Sequence, residues 1–166
     1  TVEVHAGRWE AAAVHKRELF DLAEQTAFLH LPALRTEAHL ALLRGDVDRA
    51  RGMLGELVVE ADAKGESLNL RSALHLQGLL ELSLGDPTAA LAPLRNARLI
   101  AERIALGEPG MLLSYLDEVE ARAATDDPES AAMVLEAFQQ RTARSLAPWI
   151  EPLVDRARGL LLAAER

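Results

Sequence analysis

At 166 residues the chain is long enough for a sizeable core. Its net charge of −8 and pI near 5.1 come without the basic stripe that a nucleic-acid duplex requires, and lysine occurs only at Lys16 and Lys64. The absence of cysteine excludes a disulfide framework, a thiolate zinc site and a catalytic thiol, and fits a reducing cytoplasm. Leucine (31) and alanine (30) dominate while aromatics make up 4%, which is material for closely packed helices and poor material for a sheet.

Turn phrases punctuate the chain at a nearly constant interval. Gly7-Arg8-Trp9-Glu10-Ala11-Ala12 is followed 38 residues later by Gly45-Asp46-Val47-Asp48-Arg49-Ala50. Gly85-Asp86-Pro87-Thr88-Ala89-Ala90 comes 40 residues further on, and Asp126-Asp127-Pro128-Glu129-Ser130-Ala131 another 41. In each phrase the leading Gly or Asp suits the left-handed conformation that ends one helix, and a following Asp suits the cap of the next. Pro87 and Pro128 fall where a first helical turn accepts proline.

Taken in chain order, Thr1–His5 is too short for a strand and reads as the tail of a preceding repeat helix. A helix is predicted from about Trp9 to Phe28. The next, Ala33 to Leu43, carries Leu34, Ala38, Ala41 and Leu42 on one face, and Val47 to Ala63 carries Ala50, Leu54, Leu57 and Ala61. Gly65 closes that helix, and Glu66-Ser67 opens another to about Leu84. Pro87 to Leu106 places Leu91, Leu94, Ala97 and Ala101 in register and ends at Gly107. Glu108-Pro109-Gly110 then starts a helix to about Ala124, and helices from Pro128 to about Arg144 and from Ala147 to about Ala164 complete the series.

Aligning the turns brings Ala38, Gly78 and Gly159 into line on the first helix of their units, where a small residue lets a neighbouring helix approach. Ala50, Ala90 and Ala131 align early in the second helix, with Leu54, Leu94 and Leu135 one turn on. This small–small–large pattern is that of tetratricopeptide repeats, whose usual period is 34, so helices or inter-helix loops must here be longer by several residues. The expected fold is an all-α, right-handed tetratricopeptide-like solenoid of about eight helices. It forms a single repeat domain over residues 1–166 with units turning near 7, 45, 85 and 126. The next turn in this register would fall at position 167, so the sequence reads as a segment of a longer protein.

The stretch from Leu74 to Arg166 resembles the tetratricopeptide-like region of large bacterial LuxR-type regulators, the MalT-like group with an ATPase core. The residues that carry the resemblance are Leu79-Leu80-Glu81-Leu82-Ser83-Leu84-Gly85-Asp86-Pro87, Leu106-Gly107-Glu108-Pro109-Gly110, Ala147-Pro148-Trp149 and Ala157-Arg158-Gly159-Leu160-Leu161-Leu162-Ala163-Ala164. The resemblance implies a sensor-type region that binds a protein or small effector and relays its state to an ATPase module upstream and a helix-turn-helix module downstream. Neither module lies in these residues, which contain no Gly-x-x-x-x-Gly-Lys-Ser/Thr phosphate loop.

The residues themselves point to binding rather than catalysis. No His-Glu-x-x-His or Glu-x-x-His pair occurs, and the His15/Glu18 pair is of a kind common on solvated helices. Asp117, Glu118 and Glu120 are expected on the polar face of a helix whose Leu113, Leu116 and Val119 point inward. No catalytic, cofactor or metal residues are expected. The inner wall of the solenoid would offer one row from Arg35, His75, Leu116 and Arg156 and a second from His39, Leu79, Glu120 and Leu160. Arg35, His39, His75, Glu120 and Arg156 are thus the candidate groove residues for a peptide or an anionic effector. Trp9 and Trp149 are read as packing residues at unit junctions. No apolar run approaches the roughly 20 residues of a membrane span, and exposed array ends favour a homodimer. A free-standing scaffold docking peptide segments is the alternative, followed by a helical-array enzyme.

Overall fold

The helix ends set the architecture. The structure, a computed structural model, describes residues 29–164 together with Arg8, Glu10, Ala11, Val14, His15 and Glu18. Among the described residues every regular element is helical: α1 (His30–Leu43), α2 (Val47–Ala63), α3 (Ser67–Ser83), α4 (Pro87–Arg103), the 3-10 turn η1 (Pro109–Met111), α5 (Leu113–Ala123), α6 (Pro128–Thr142) and α7 (Ile150–Ala164). The expected all-α class is what these residues form. The readings at Thr1–His5, Gly7 and Trp9 lie outside the described residues. Within the helix expected from Trp9 to Phe28, the described Glu10, Ala11, Val14, His15 and Glu18 are helical.

Gly45, Gly65 and Gly85 adopt φ of 75°, 67° and 79°. Each donates to the carbonyl three residues back while the following N–H reaches the carbonyl five back, as in Gly45 N to Leu42 O (2.9 Å) and Asp46 N to Ala41 O (3.0 Å). That pair of bonds satisfies carbonyls a helix end would otherwise leave orphaned. Asp86 Oδ1 then accepts from Ala89 N (2.9 Å) and Asp127 Oδ1 from Ser130 N (3.3 Å), while Asp46 makes no such side-chain bond. Left-handed residues recur at 45, 65, 85, 105 and 126. The extra length over a 34-residue repeat therefore resides in the helices: α2, α3 and α4 each have 17 residues.

Ala105 corrects the expected end of α4. The helix stops at Arg103, and Ala105 takes φ 51° in place of the expected terminator Gly107. Leu106 N bonds Ala101 O (2.9 Å), and the Leu106 side chain packs against the cluster that contains Ala101. The apolar contact that accompanies this ending overrides the conformational preference of glycine two residues on. Other bounds shift modestly. α1 begins at His30, α6 ends at Thr142 and α7 begins at Ile150. η1 intervenes before α5, with Glu108 Oε2 accepting from Met111 N (3.1 Å).

The backbone divides into two compact units, residues 1–73 and 74–166. In the first, Leu31 and Leu34 of α1 pack with Leu57 and Ala61 of α2 and with Ala73. α1 and α2, joined by a short turn, are neighbours and so run antiparallel. In the second unit, α5 is the centre: α4, α6 and α7 all pack on it. Its Leu112 flank, Tyr115, Leu116 and Val119 join Ala131, Val134, Leu135 and Phe138 of α6 and Val154 and Ala157 of α7 in one buried cluster. Ala90 and Leu94 of α4 meet Ala121 of α5 in another. The aligned Ala50, Ala90, Ala131, Leu54 and Leu94 are fully buried and Leu135 nearly so, as their register requires.

Candidate functional site

Helix α5 carries Asp117, Glu118 and Glu120 within one turn, and each pairs with a basic side chain from a different helix. Asp117 Oδ2 lies 2.6 Å from His75 Nε2 of α3. Glu118 Oε2 accepts from Arg98 Nε of α4 at 2.8 Å. Glu120 Oε2 accepts from Arg156 Nη2 of α7 at 2.7 Å. Alternate directions around a helix arise at 100° per residue, so three carboxylates this close in sequence reach three neighbours.

Glu118 is the exception to the expected polar face: it is completely buried. Besides Arg98, it accepts from Arg122 Nε (3.0 Å) and Nη2 (2.9 Å). The two guanidinium groups are themselves pinned, Arg98 to Glu102 (2.8 Å) and Arg122 to Asp127 (2.7 Å). Burial alone would lower the Arg98 pKa. The hydrogen bonds and charges of Glu118 and Glu102 overcome it and hold Arg98 above its ordinary value. The Ser130 bonds, assisted by Arg122, hold the Asp127 carboxyl below its usual range. Tyr115 donates weakly to Glu102 (3.4 Å), and burial pushes its phenol up to about 12.

The structure therefore unites Glu120 with Arg156, and gives His75 a partner, Asp117, that spacing had not assigned to it. Leu116 does not line an inner wall: it is buried in the α5–α6–α7 cluster, because the α5 face that reaches α7 is apolar there. Arg35 and His39 belong to the first unit, where both are half-buried. Burial holds the Arg35 pKa below its ordinary value. Beside it Arg71, almost fully buried, is lowered to about 10 by burial and by the Arg35 charge, and donates to Ser72 Oγ (3.1 Å). Trp149 is 40% exposed in the segment between α6 and α7. Close by, an open cleft of about 370 Å³ is lined by Thr142, Leu146, Pro148, Ile150, Glu151 and Arg158, among others.

Sequence reasoning missed Arg98, Arg122 and the burial of Glu118. The local signals were the Arg98/Glu102 and Glu118/Arg122 spacings of four, which place partners on one helix face. Chemically the site is a set of polar pairs, most of which join helices. Among the described residues no group of three or more His, Asp or Glu side chains is placed to hold a metal ion, and no helix is long and apolar enough to cross a membrane. Comparison of the chain with family models, with curated proteins and with solved structures finds no match.

Proposed function

We propose that the chain is a right-handed tetratricopeptide-like array that serves as the effector- or partner-binding region of a cytoplasmic bacterial regulator of the LuxR type, in its MalT-like, ATPase-containing form. The observation that carries the array is the coincident burial of Ala50, Ala90 and Ala131 and of Leu54, Leu94 and Leu135, each set at the same place after a left-handed turn. A stacked array offers an extended surface and transmits changes between neighbouring units. The regulator identity rests on the resemblance of the Gly-Asp-Pro, Glu-Pro-Gly and Pro-Trp segments.

Binding rather than catalysis is supported by the state of the polar groups. The α5 carboxylates are engaged by histidine and arginine side chains, and the cleft beside Leu146 and Trp149 is open rather than deep. Catalytic sites favour enclosed pockets with convergent, strongly shifted acids and bases. Sequencing the gene on both sides tests the reading. A phosphate-loop ATPase upstream and a helix-turn-helix downstream are the expected result. Flanks lacking both would overturn the regulator and leave a scaffold for peptide segments.

A further inference from the structure

Helix α2 buries Ala50, Leu54, Leu57 and Ala61. At about 100° per residue, the diametrically opposite face carries Gly52, Gly55, Val59 and Ala63. Val59 is 71% exposed there, and Gly52 and Ala63 are exposed with it. Neither glycine has a positive φ, and among the described residues nothing lies within 4 Å of a Cβ added at either. Glycine inside a helix is destabilising relative to alanine, and packing within the unit does not account for these two. Charge is ordered along the same helix: Arg49 and Arg51 lie in its first half, and Glu56, Glu60 and Asp62 in its second.

We propose that this face of α2 is where a second copy of the chain docks, helix against antiparallel helix about a two-fold axis near Gly55. Each Val59 then rests on Gly52 of the other copy, where the missing side chain lets the backbones approach closely. On one flank Arg51 comes opposite the second copy's Asp62, and on the other Arg49 comes opposite its Glu60, while Asp48 faces Ala63. A parallel packing would bring arginine against arginine and acid against acid, so charge selects the antiparallel one. The match is self-complementary, as a two-fold interface requires, and this singles out a second copy as the occupant. Arg49 already pairs with Glu37, and Glu60 with His30 and Lys64, so on that flank the second copy extends existing ion pairs. One pair of helices buries less than the roughly 1,200 Å² of a stable interface, so the dimer is weak. Because the face lies opposite the side on which α2 packs, it is a flank of the proposed array and not one of its ends. The inference does not depend on the regulator reading.

Sedimentation of the whole 166-residue chain from about 10 μM to about 1 mM tests it, a range that reaches weak contacts. Reversible dimerisation is expected, and Val59→Glu should abolish it. Met133→Glu, at an apolar residue of α6 that is also 71% exposed, should leave it unchanged. Arg51→Asp and Asp62→Arg should each weaken the dimer about tenfold. The double variant should restore it, since the exchanged charges again face each other across the axis. Circular dichroism checks that the variants keep their helicity. A dimer indifferent to Val59→Glu, or a double variant no better than the single ones, overturns the proposal. So does a chain that stays monomeric to about 1 mM, because the face would then belong to a different partner.

Discussion

Helices α3 and α4 meet at Gly78 and Leu94, where the fit is decided by volume: there is no room for one more carbon. Helix α5 meets the same α4 at Glu118 and Arg98, where the fit is decided by sign. The two contacts belong to one unit and use one helix in common, yet they specify different things. An apolar seat accepts any side chain of the right shape and rewards its removal from water. A buried carboxylate is costly unless its cations arrive in the right place, so it penalises every packing in which Arg98 or Arg122 is displaced. The first contact sets how closely helices approach; the second penalises pairing with the wrong neighbour.

The largest expected effect is at Glu118. Glu118→Gln keeps the shape but leaves two largely buried guanidinium groups facing a neutral amide, and breaking a buried pair from one side costs about 3–5 kcal/mol. Urea unfolding measures it. A loss below about 1 kcal/mol would mean that water reaches the cluster and that sign decides nothing there. A double-mutant cycle with Arg98→Gln sharpens the point, with a coupling of about 0.5–3 kcal/mol expected for residues in contact.

Gly78→Ala tests the other side. Pushing a methyl into the Leu94 seat is expected to cost about 1–3 kcal/mol, whereas Gly159→Ala, with open space around it, should gain about 0.5–1 kcal/mol through helix propensity. Equal behaviour of the two glycines would remove the volume argument.

A third test uses pH. Burial raises Tyr115 from 10.0 to about 12 in the folded state. A raised pKa means the folded protein binds the proton more tightly than the unfolded chain. The contribution is fully present below pH 10 and is lost as pH climbs through about 12. Arg71, lowered to about 10, works in the opposite sense: its burial penalty is relieved as pH rises past 10. Urea midpoints at about pH 9 and about pH 11.5 should therefore fall further in the native chain than in Tyr115→Phe. An identical fall in both would show that Tyr115 does not titrate differently on folding.

Much of the volume side was legible in the sequence because its determinants are local. Gly45 and Gly85 tolerate positive φ, Asp86 and Pro87 open a helix, and alanine and leucine at fixed distances from those turns must share a face. Legibility ends where local and non-local terms compete. Gly107 was the better conformational choice for ending α4, but the packing of Leu106 made Ala105 the left-handed residue. The sign side was largely illegible. Glu118 reads as one more charge on a polar helix until Arg98, 20 residues away, is seen to face it. His75 finds Asp117 across 42 residues, a pairing that no helical periodicity encodes.

The smallest expected effect concerns the pair that the sequence did single out. Glu120 and Arg156 join α5 to α7 at 2.7 Å, but their side chains are 34% and 56% exposed. Water screens the charges, and ordering two long side chains consumes much of the gain, so such pairs contribute about 0–1 kcal/mol. Arg156→Ala should shift the urea midpoint by no more than that, in contrast to Glu118→Gln on the same helix α5. The pair is thus free to exchange partners. An acidic peptide or anionic effector that competes with Glu120 for Arg156 would lose affinity in Arg156→Ala and gain it in Glu120→Gln, which releases the guanidinium and removes a like charge. Isothermal titration of both variants with an identified anionic partner reads the two directions separately. Opposite shifts would make Arg156 a recognition residue, whereas no change in either would leave it a surface tie between helices.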